Sequence, residues 1–258
     1  MVHLIPAFQD NYIFAVEFDG KALIVDPGDA TPVIKFLTDK NLNPDLILAT
    51  HHHADHVGGV AKLQERFPHA KLFGPSGLSQ LGLRCDRVLR ENDIFQFGDR
   101  EWQTFNVPGH TLDHLAFYSS NVGALAFSDQ PPVLFCGDVL FSFGCGRIFE
   151  GTFAQMYDSL AKLKSLPSAT QVYCAHEYTL NNLNFTIEYL QNEHARSPSH
   201  ANAPATDYSR LREQLSAKRT QGLATVPTTI GFELRYNLFF RAQTPEDFTA
   251  VRTAKDLW

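Results

Sequence analysis

A cluster of four histidines and one aspartate within six positions constrains this chain of 258 residues more than any other feature. The cluster follows a run of four apolar residues and one threonine, and such a run is typical of a buried strand. Because side chains two residues apart on an extended chain point to the same side, His51 and His53 could bind one cation together. Asp55 and His56 could reach a second cation where the chain turns into the following helix. Imidazole and carboxylate ligands suit zinc, iron and manganese alike.

Further candidate ligands follow three later apolar runs, at positions where the strands of a sheet would end. They are His110, Asp138 and His176, in the segments Val-Pro-Gly-His, Cys-Gly-Asp-Val and Cys-Ala-His-Glu. A sheet would deliver such strand ends to one edge, so we expect these side chains to join the cluster. The sequence therefore predicts two metal ions, with His51, His53 and His110 on one, Asp55, His56 and His176 on the other, and Asp138 between them.

Three neighbouring polar residues receive other interpretations. His52 points away from its neighbours in an extended segment, so we expect it to face solvent or to support a ligand. His114 is expected to pack or hydrogen-bond near the site. Asp26 lies in an Asp-Pro-Gly turn at a strand end, which makes it a candidate acceptor for the second nitrogen of a ligand imidazole.

Short apolar strands in the first half of the chain and helical periodicity toward its end indicate an α/β domain followed by a smaller helical domain. Strands are predicted at 2–8, 12–18, 21–25 and 45–50, with a hairpin at Asp19-Gly20 between the second and the third. Further strands are predicted near 71–73, 102–107, 115–119, 123–127, 133–136 and 171–174. Helices are predicted from an N-cap at Thr31, after residue 59, from a capping box at Thr152 and Gln155, and near 178–194, 206–220 and 244–255, the last beginning at Thr244-Pro245. These assignments place the two domains at 1–174 and 175–258.

The charge, apolar runs and cysteines of the chain indicate which classes of partner and which cellular compartment to expect. A formal net charge of -6 with no long basic block argues against a nucleic-acid partner. No run approaches the roughly 18 to 20 apolar residues of a membrane span, and the first residues lack the pattern of a signal peptide. The four cysteines are scattered and suggest neither a zinc ribbon nor a disulfide framework. We therefore expect a cytoplasmic monomer without nucleic-acid or membrane partners.

The motifs of the chain resemble those of the metallo-β-lactamase superfamily and, more narrowly, of the glyoxalase II (hydroxyacylglutathione hydrolase) family. The histidine cluster alone indicates only the superfamily. The thioesterase branch is indicated by Gly144-Cys-Gly-Arg147, Cys174-Ala-His-Glu-Tyr178, Thr225-Val-Pro-Thr228 and the closing Arg252-x-x-Lys255-Asp256. The resemblance implies an α/β fold, a metallo-β-lactamase αββα sandwich with a smaller C-terminal helical domain that binds glutathione.

The resemblance also implies roles for individual residues. It assigns the seven metal ligands as divided above, with Asp55 and Asp138 in the catalytic centre. It assigns glutathione contacts to four residues, namely Arg147, Tyr178, Arg252 and Lys255. Basic residues can pair with the two carboxylates of glutathione, and residues 252 and 255 lie one turn apart on a predicted helix. Two divalent ions per chain are implied, with zinc favoured and iron or manganese as alternatives.

The implied reaction is hydrolysis of an S-(2-hydroxyacyl)glutathione, with S-D-lactoylglutathione giving glutathione and D-lactate in the second step of methylglyoxal detoxification. Binding to metal lowers the pKa of water from about 16 to about 7, so no serine or cysteine nucleophile is required. A thiolate is a good leaving group, so no strong general acid is required either. A mononuclear-iron persulfide dioxygenase and a lactonase are alternatives on the same fold, and a count of metals per chain would separate the first.

Five positions depart from the pattern common among related sequences. Relatives often have glycine, threonine and proline where this chain has Asp113, Val107 and Leu238, and some have lysine and tyrosine where it has Arg147 and Phe149. Phe149 removes a hydroxyl from the expected substrate pocket, whereas Arg147 keeps the positive charge. Asp113 adds an acid three residues after His110, and the sequence leaves its role open.

Overall fold

The structure is a computed structural model that describes residues 1–120, 131–191 and 205–258. The chain divides into two units, one of Met1–Asn106 with Asp113–Gly137 and one of Val107–Leu112 with Asp138–Trp258. The strand predicted at 123–127 lies outside the described residues. The sequence-based domains at 1–174 and 175–258 stay a prediction.

The first unit contains a mixed sheet of six strands that follow one another in space as they do in sequence. They are β1 (Val2–Ala7), β2 (Asn11–Phe18), β3 (Lys21–Val25), β4 (Asn43–Leu48), β5 (Lys71–Gly74) and β6 (Arg87–Val88). The first three strands are antiparallel, and the pairs from β3 onward are parallel. The predicted hairpin at Asp19-Gly20 is confirmed, since both residues adopt positive φ angles, 46° and 71°.

Helices connect the parallel strands of this sheet. They are α1 (Ala30–Lys40), α2 (Ala54–Val57) and α3 (Val60–Arg66), and apolar residues of α1 and α3 share one buried core with the sheet. The prediction that Thr31 caps α1 is wrong. Asp29 is the N-cap, and its side chain accepts a hydrogen bond of 2.8 Å from the backbone N of Thr31. Pro32 still falls in the first turn, where its missing N–H would have had no partner within the helix.

Four antiparallel strands form a second layer in the same unit. They are β7 (Ile94–Phe97), β8 (Arg100–Asn106), β9 (Leu115–Ser119) and β10 (Val133–Phe135). Aromatic rings join the two layers, with centroids 5.4 Å apart for Phe14 and Phe135 and 5.8 Å apart for Phe73 and Phe95. The strand β7 was not predicted, because four residues carry too little periodicity.

The second unit consists mainly of helices. Its elements are β11 (Leu140–Phe141), β12 (Gly144–Cys145), α4 (Phe153–Lys164), β13 (Gln171–Tyr173), α5 (Thr179–Gln191), α6 (Ala205–Thr220), β14 (Thr228–Thr229), α7 (Ile230–Tyr236), α8 (Leu238–Arg241) and α9 (Pro245–Leu257). The predicted capping box of Thr152 with Gln155 is confirmed, as is the cap of α9 by Thr244 with Pro245 in the first turn. Among the described residues, no helix is long and apolar enough to cross a membrane.

Leu238 occupies the first position of α8 and is fully buried, after an N-cap at Asn237. Proline suits the first position of a helix, which explains how related sequences can carry it there. The replacement by leucine therefore keeps the helix start and adds apolar side-chain volume to the core.

Candidate metal centre

The histidine cluster lies in the first unit, between the end of β4 and the short helix α2. His53 is the N-cap of α2 and has an extended backbone, with φ -63° and ψ 145°. The ring centroid of His51 lies 4.6 Å from that of His53 and 4.1 Å from that of His56. His51 and His56 are buried, whereas the Asp55 side chain is 41% exposed. The structure thus brings the four predicted ligands of this segment together, two of them shielded from water.

Asp26 fixes the orientation of two of these imidazoles. Its Oδ1 accepts a hydrogen bond of 2.7 Å from the backbone N of Thr50, and its Oδ2 accepts from Thr50 Oγ1 at 2.8 Å and from His56 Nδ1 at 3.1 Å. Thr50 Oγ1 also lies 3.1 Å from His51 Nδ1. Since the Thr50 hydroxyl donates its proton to Asp26, His51 Nδ1 must be the donor in the last pair. Both rings therefore carry their proton on Nδ1 and present a lone pair on Nε2, as metal binding requires.

Asp55 is held from a different element. Asn11, the first residue of β2, donates a hydrogen bond of 3.0 Å from Nδ2 to Asp55 Oδ2. Gly28 permits this arrangement, because a Cβ atom there would overlap the Asp55 carbonyl. Asn11 and the Asp-Pro-Gly turn at residues 26–28 thus both support the cluster.

The three later candidate ligands come together in the second unit. His110 Nε2 lies 3.4 Å from Asp138 Oδ2, and His176 Nε2 lies 3.4 Å from Asp138 Oδ1. All three side chains are buried. His110 Nδ1 donates a hydrogen bond of 2.7 Å to the backbone carbonyl of Arg147, which directs its Nε2 toward the carboxylate. Asp138 thus stands between two imidazoles, one per carboxylate oxygen.

The spacing between these nitrogen and oxygen atoms fits a divalent metal. The pairs at 3.4 Å, and that of His56 Nε2 with Asp55 Oδ2 at 3.5 Å, are longer than an ordinary hydrogen bond. Metal bonds of about 2.0 to 2.2 Å in tetrahedral arrangement separate neighbouring ligand atoms by about 3.3 to 3.6 Å. The observed spacing and the His and Asp composition of both sets therefore suit divalent cations.

The side chains predicted to bind glutathione lie in the second unit with different exposure. Arg147 is 59% exposed, and its Nε lies 3.6 Å from Asp256 Oδ1. Arg252 is only 4% exposed, and it donates from Nη1 to the carbonyl of Cys145 at 3.0 Å and from Nη2 to Asp256 Oδ1 at 2.9 Å. Two nitrogens of the Arg252 guanidinium therefore already donate hydrogen bonds within the protein. Helical spacing alone did not predict these contacts.

The other two predicted contacts also have well-defined surroundings. Tyr178 stacks on His176, with centroids 4.7 Å apart and an interplanar angle of 9°. Lys255 donates from Nζ to Asn181 Oδ1 at 2.8 Å. Its burial, with a further contribution from the charge of Arg252, lowers the pKa of Lys255 to about 8. Lys255 therefore remains largely protonated at neutral pH.

Asp113 and Phe149, the departures from the related pattern, have structural explanations. Asp113 Oδ2 accepts hydrogen bonds from the backbone N of Gly77 at 2.7 Å and from Ser76 Oγ at 3.3 Å. These contacts stabilise the start of the 3-10 helix Ser76–Leu81. Its Oδ1 lies 3.7 Å from His52 Nδ1, too far for a hydrogen bond. Phe149 is 61% exposed, and the centroid of its ring lies 5.2 Å from that of His110.

His114 and the cysteines complete the surroundings. His114 is buried and stacks on His51, with centroids 4.6 Å apart. All four cysteines are free thiols. Burial raises the pKa of Cys145 to about 11, against the effect of the neighbouring Arg252, so it is a neutral thiol at physiological pH.

Sequence reasoning missed a buried polar cluster behind the β11–β12 hairpin. The Glu233 carboxylate accepts hydrogen bonds from Thr228 Oγ1, Ser142 Oγ, Phe143 N and Asn237 Nδ2 at 2.6 to 3.2 Å. Asn237 Nδ2 also donates to the carbonyls of Phe141 and Gly144. The hairpin lies between Asp138 and Arg147 in the chain, so this cluster supports the segment that joins them. The sequence did not predict this cluster, because Glu233 and Asn237 are isolated polar residues in a segment with helical periodicity.

Comparisons with known proteins agree with this arrangement. Residues 7–176 match the family model of the metallo-beta-lactamase superfamily, and residues 177–258 match the model described as the hydroxyacylglutathione hydrolase C-terminus. A hydroxyacylglutathione hydrolase from Photobacterium profundum is 42% identical over 273 aligned positions, which cover 99% of this chain and 98% of the relative.

Solved structures share the fold. ETHE1 from Myxococcus xanthus is 21% identical with a TM-score of 0.67, covering 98% of this chain and 90% of that chain. TTHA1623 in a di-iron-bound form is 23% identical with a TM-score of 0.56, covering 93% of this chain and 99% of that chain. The predicted metallo-β-lactamase fold with a C-terminal helical region is therefore confirmed, and the chain belongs to the hydroxyacylglutathione hydrolase family of the metallo-β-lactamase superfamily.

Proposed function

We propose that this protein hydrolyses S-(2-hydroxyacyl)glutathione, with S-D-lactoylglutathione giving glutathione and D-lactate as the second step of methylglyoxal detoxification. The observation that carries the proposal is the match of residues 177–258 to the hydroxyacylglutathione hydrolase C-terminus, the region that holds Tyr178, Arg252 and Lys255. The curated relatives bear the same hydrolase name over nearly the whole chain. The dioxygenase and lactonase alternatives are accordingly not favoured.

The metal centre that we propose contains two divalent ions, with zinc as the favoured metal and iron or manganese as alternatives. One ion would be held by His51, His53 and His110, the other by Asp55, His56 and His176, and Asp138 would serve both. Each of these two triplets offers one ligand atom per residue and has a composition that can hold an ion. The Nδ1 hydrogen bonds of His51, His56 and His110 support the assignment, because each leaves Nε2 for the metal. The di-iron form of TTHA1623 supports the count.

The bound ions would supply Lewis acidity, which polarises the thioester carbonyl and lowers the pKa of water to about 7. Asp55 and Asp138 are the proposed catalytic carboxylates. Asn11 donates a hydrogen bond that fixes the rotation of Asp55, and Asp138 lies between the imidazoles of His110 and His176, so both carboxylates can accept a hydrogen bond from the attacking water. The water oxygen forms the new C–O bond and gives up its proton to one of these carboxylates, the C–S bond breaks, and its electron pair leaves on the glutathione sulfur. The thiolate is stable enough to leave without a strong acid.

Binding of the glutathione part is assigned to Arg147, Tyr178, Arg252 and Lys255. Arg147 is exposed and Lys255 remains protonated, so both can pair with substrate carboxylates. Arg252 is buried and already donates hydrogen bonds to Cys145 and Asp256. We therefore expect its positive charge to attract the substrate carboxylate, in addition to any hydrogen bond between them. The four free cysteines favour a reducing cytoplasm, and we propose a monomer as the active form.

The test is a metal count by elemental analysis together with an assay of S-D-lactoylglutathione hydrolysis before and after chelation. We expect two metal ions per chain, loss of activity on chelation and recovery when zinc is added back. The variant His53→Ala should lose metal and activity, whereas His69→Ala, at an exposed site on the same unit, should lose neither. One iron per chain with oxygen uptake on glutathione persulfide would overturn the proposal.

A further inference from the structure

Lys255 is enclosed by aromatic rings and an amide on two helices, α9 and α5. Its Nζ lies 4.0 Å from the ring centroid of Trp258 and 5.0 Å from that of Phe185. The same Nζ donates to Asn181 Oδ1. An ammonium has three N–H donors, so the enclosure fixes the group while the hydrogen bond to Asn181 uses only one of them.

Trp258 is itself fixed to α5. Its Nε1 donates a hydrogen bond of 2.8 Å to Glu188 Oε2, and its ring meets the edge of Phe185 at a centroid distance of 5.8 Å. Trp258 is nevertheless 47% exposed, whereas Phe185 is buried. The indole thus lies against the Lys255 ammonium at a partly exposed position, and it is held there by contacts that do not involve Lys255.

We propose that Trp258 is a positioning residue that holds the Lys255 ammonium ready to pair with a carboxylate of the glutathione part of the substrate. This inference rests on the function proposed above. A lysine side chain loses much rotational freedom when it binds an anion, and a lysine already held between two rings has lost most of it beforehand. The cation–π contact also stabilises the charged form of Lys255.

The enclosure has a consequence for the pH dependence of binding. Lys255 titrates near pH 8, so binding of a carboxylate weakens above that pH. The charged groups concerned are Arg252, which acts directly on Lys255, Asp256, which follows it in the chain, and Glu188 on α5, which accepts the hydrogen bond of Trp258. Replacing the indole by an aliphatic group removes the ring that favours the ammonium, so the rise of KM with pH should begin at a lower pH.

The experiment compares steady-state kinetics of Trp258→Leu, Trp258→Phe and the wild type on S-D-lactoylglutathione and on its diethyl ester, in which both carboxylates are neutral. We expect Trp258→Leu to raise KM for the acid about two- to five-fold, the size of a cation–π contact at a half-exposed site, with kcat within two-fold. Trp258→Phe should recover most of the loss. KM for the ester should be the same in all three proteins. Leu257→Ala, at a residue 85% exposed on the same helix, is the matched control and should leave KM unchanged.

An unchanged KM for the acid in Trp258→Leu, or an equal rise for acid and ester, would overturn the inference, because a merely structural role would not depend on substrate charge. An equal effect in Leu257→Ala would overturn it as well. If the wild type hydrolyses S-D-lactoylglutathione in these experiments, the proposed function survives any of these results. If the wild type does not hydrolyse it, both proposals fail together.

Discussion

The Asp26 carboxylate and the His56 imidazole are joined by a buried hydrogen bond of 3.1 Å between Oδ2 and Nδ1. Asp26 reaches this position from a left-handed backbone conformation, with φ 53°, directly after β3. The same carboxylate holds Thr50, which in turn holds His51. One side chain therefore sets the direction of two candidate ligands, which confirms the contact that its place in the sequence suggested.

Asp26→Asn should weaken metal binding. The carboxylate accepts at both oxygens, from Thr50 N at Oδ1 and from Thr50 Oγ1 and His56 Nδ1 at Oδ2. An amide has only one accepting oxygen, so its NH2 group would face donors on the other side, while asparagine tolerates the positive φ angle. Loss of such a supporting contact typically costs 10- to 100-fold in metal affinity or activity. Metal content after dialysis against graded chelator measures the change. Asp45→Asn, at an exposed aspartate of the same unit, is the control, and equal metal retention in the two variants would contradict the argument.

Many of the candidate metal ligands could be predicted from the sequence, because their positions depend on local spacing along the chain. The spacing of His51, His53 and His56 fixes which imidazoles share a face, whatever the rest of the fold does. The cap of α4 by Thr152 and the left-handed turn at Asp19 are equally local and were predicted correctly.

Other features depend on partners distant in sequence and could not be predicted. The two-residue strands β11 and β12 exist only because they pair with each other and because Glu233 and Asn237 satisfy their polar groups. The burial of Arg252 is of the same kind. Helical spacing places it near Lys255, but only tertiary packing decides that one is buried and the other half-exposed.

Gly146→Ala should impair the second set of ligands. A Cβ atom at Gly146 would overlap the carbonyl oxygen of Asp138 and lie 3.3 Å from His110 Nδ1. The backbone of Asp138 would have to move, and displacement of about 1 Å in a catalytic site can cost about 100-fold in rate. We expect a fall in kcat of that order with reduced metal content. Gly231→Ala is the control, because the atoms nearest to its Cβ would be those of Ser168, at 3.1 Å and beyond, and it should leave kcat within two-fold. Wild-type kcat in Gly146→Ala would refute the expectation.

Asp256→Asn should lower the stability of the protein. Asp256 neutralises Arg252, whose buried guanidinium has few alternatives, and also contacts the exposed Arg147. Hydrogen bonds to charged groups contribute about 1.5 to 3 kcal/mol, and the partial exposure of Asp256 reduces this to about 1 to 2 kcal/mol. Urea unfolding gives the free-energy change. The matched variant Asp39→Asn breaks an exposed pair with Lys35 and should change stability by less than about 0.5 kcal/mol. A loss of similar size in the two variants would argue against a special role of the buried arginine.

Glu233 should make stability depend on pH in a defined direction. Burial raises its pKa from 4.5 to about 7, against the opposing effect of the hydrogen bonds that it accepts from Thr228, Phe143, Asn237 and Ser142. Between pH 4.5 and 7 the folded protein therefore binds this proton more tightly than the unfolded chain does. The stability from this group is fully present below about pH 4.5 and is lost as pH rises through about 7, a change of about 3 kcal/mol.

Glu233→Gln isolates this contribution, because glutamine is neutral throughout. Its amide can face the hydroxyls of Thr228 and Ser142, which can rotate to accept, while its oxygen accepts from Phe143 N and Asn237 Nδ2. The free energy of unfolding of the wild type minus that of the variant should fall steadily from pH 5 to pH 7.5 in urea titrations of the metal-loaded proteins. Glu213→Gln, at an exposed site on α6, should run parallel to the wild type. If the curve of Glu233→Gln also ran parallel, the carboxylate would be ionised at all these pH values and its burial would be fully compensated by its four donors.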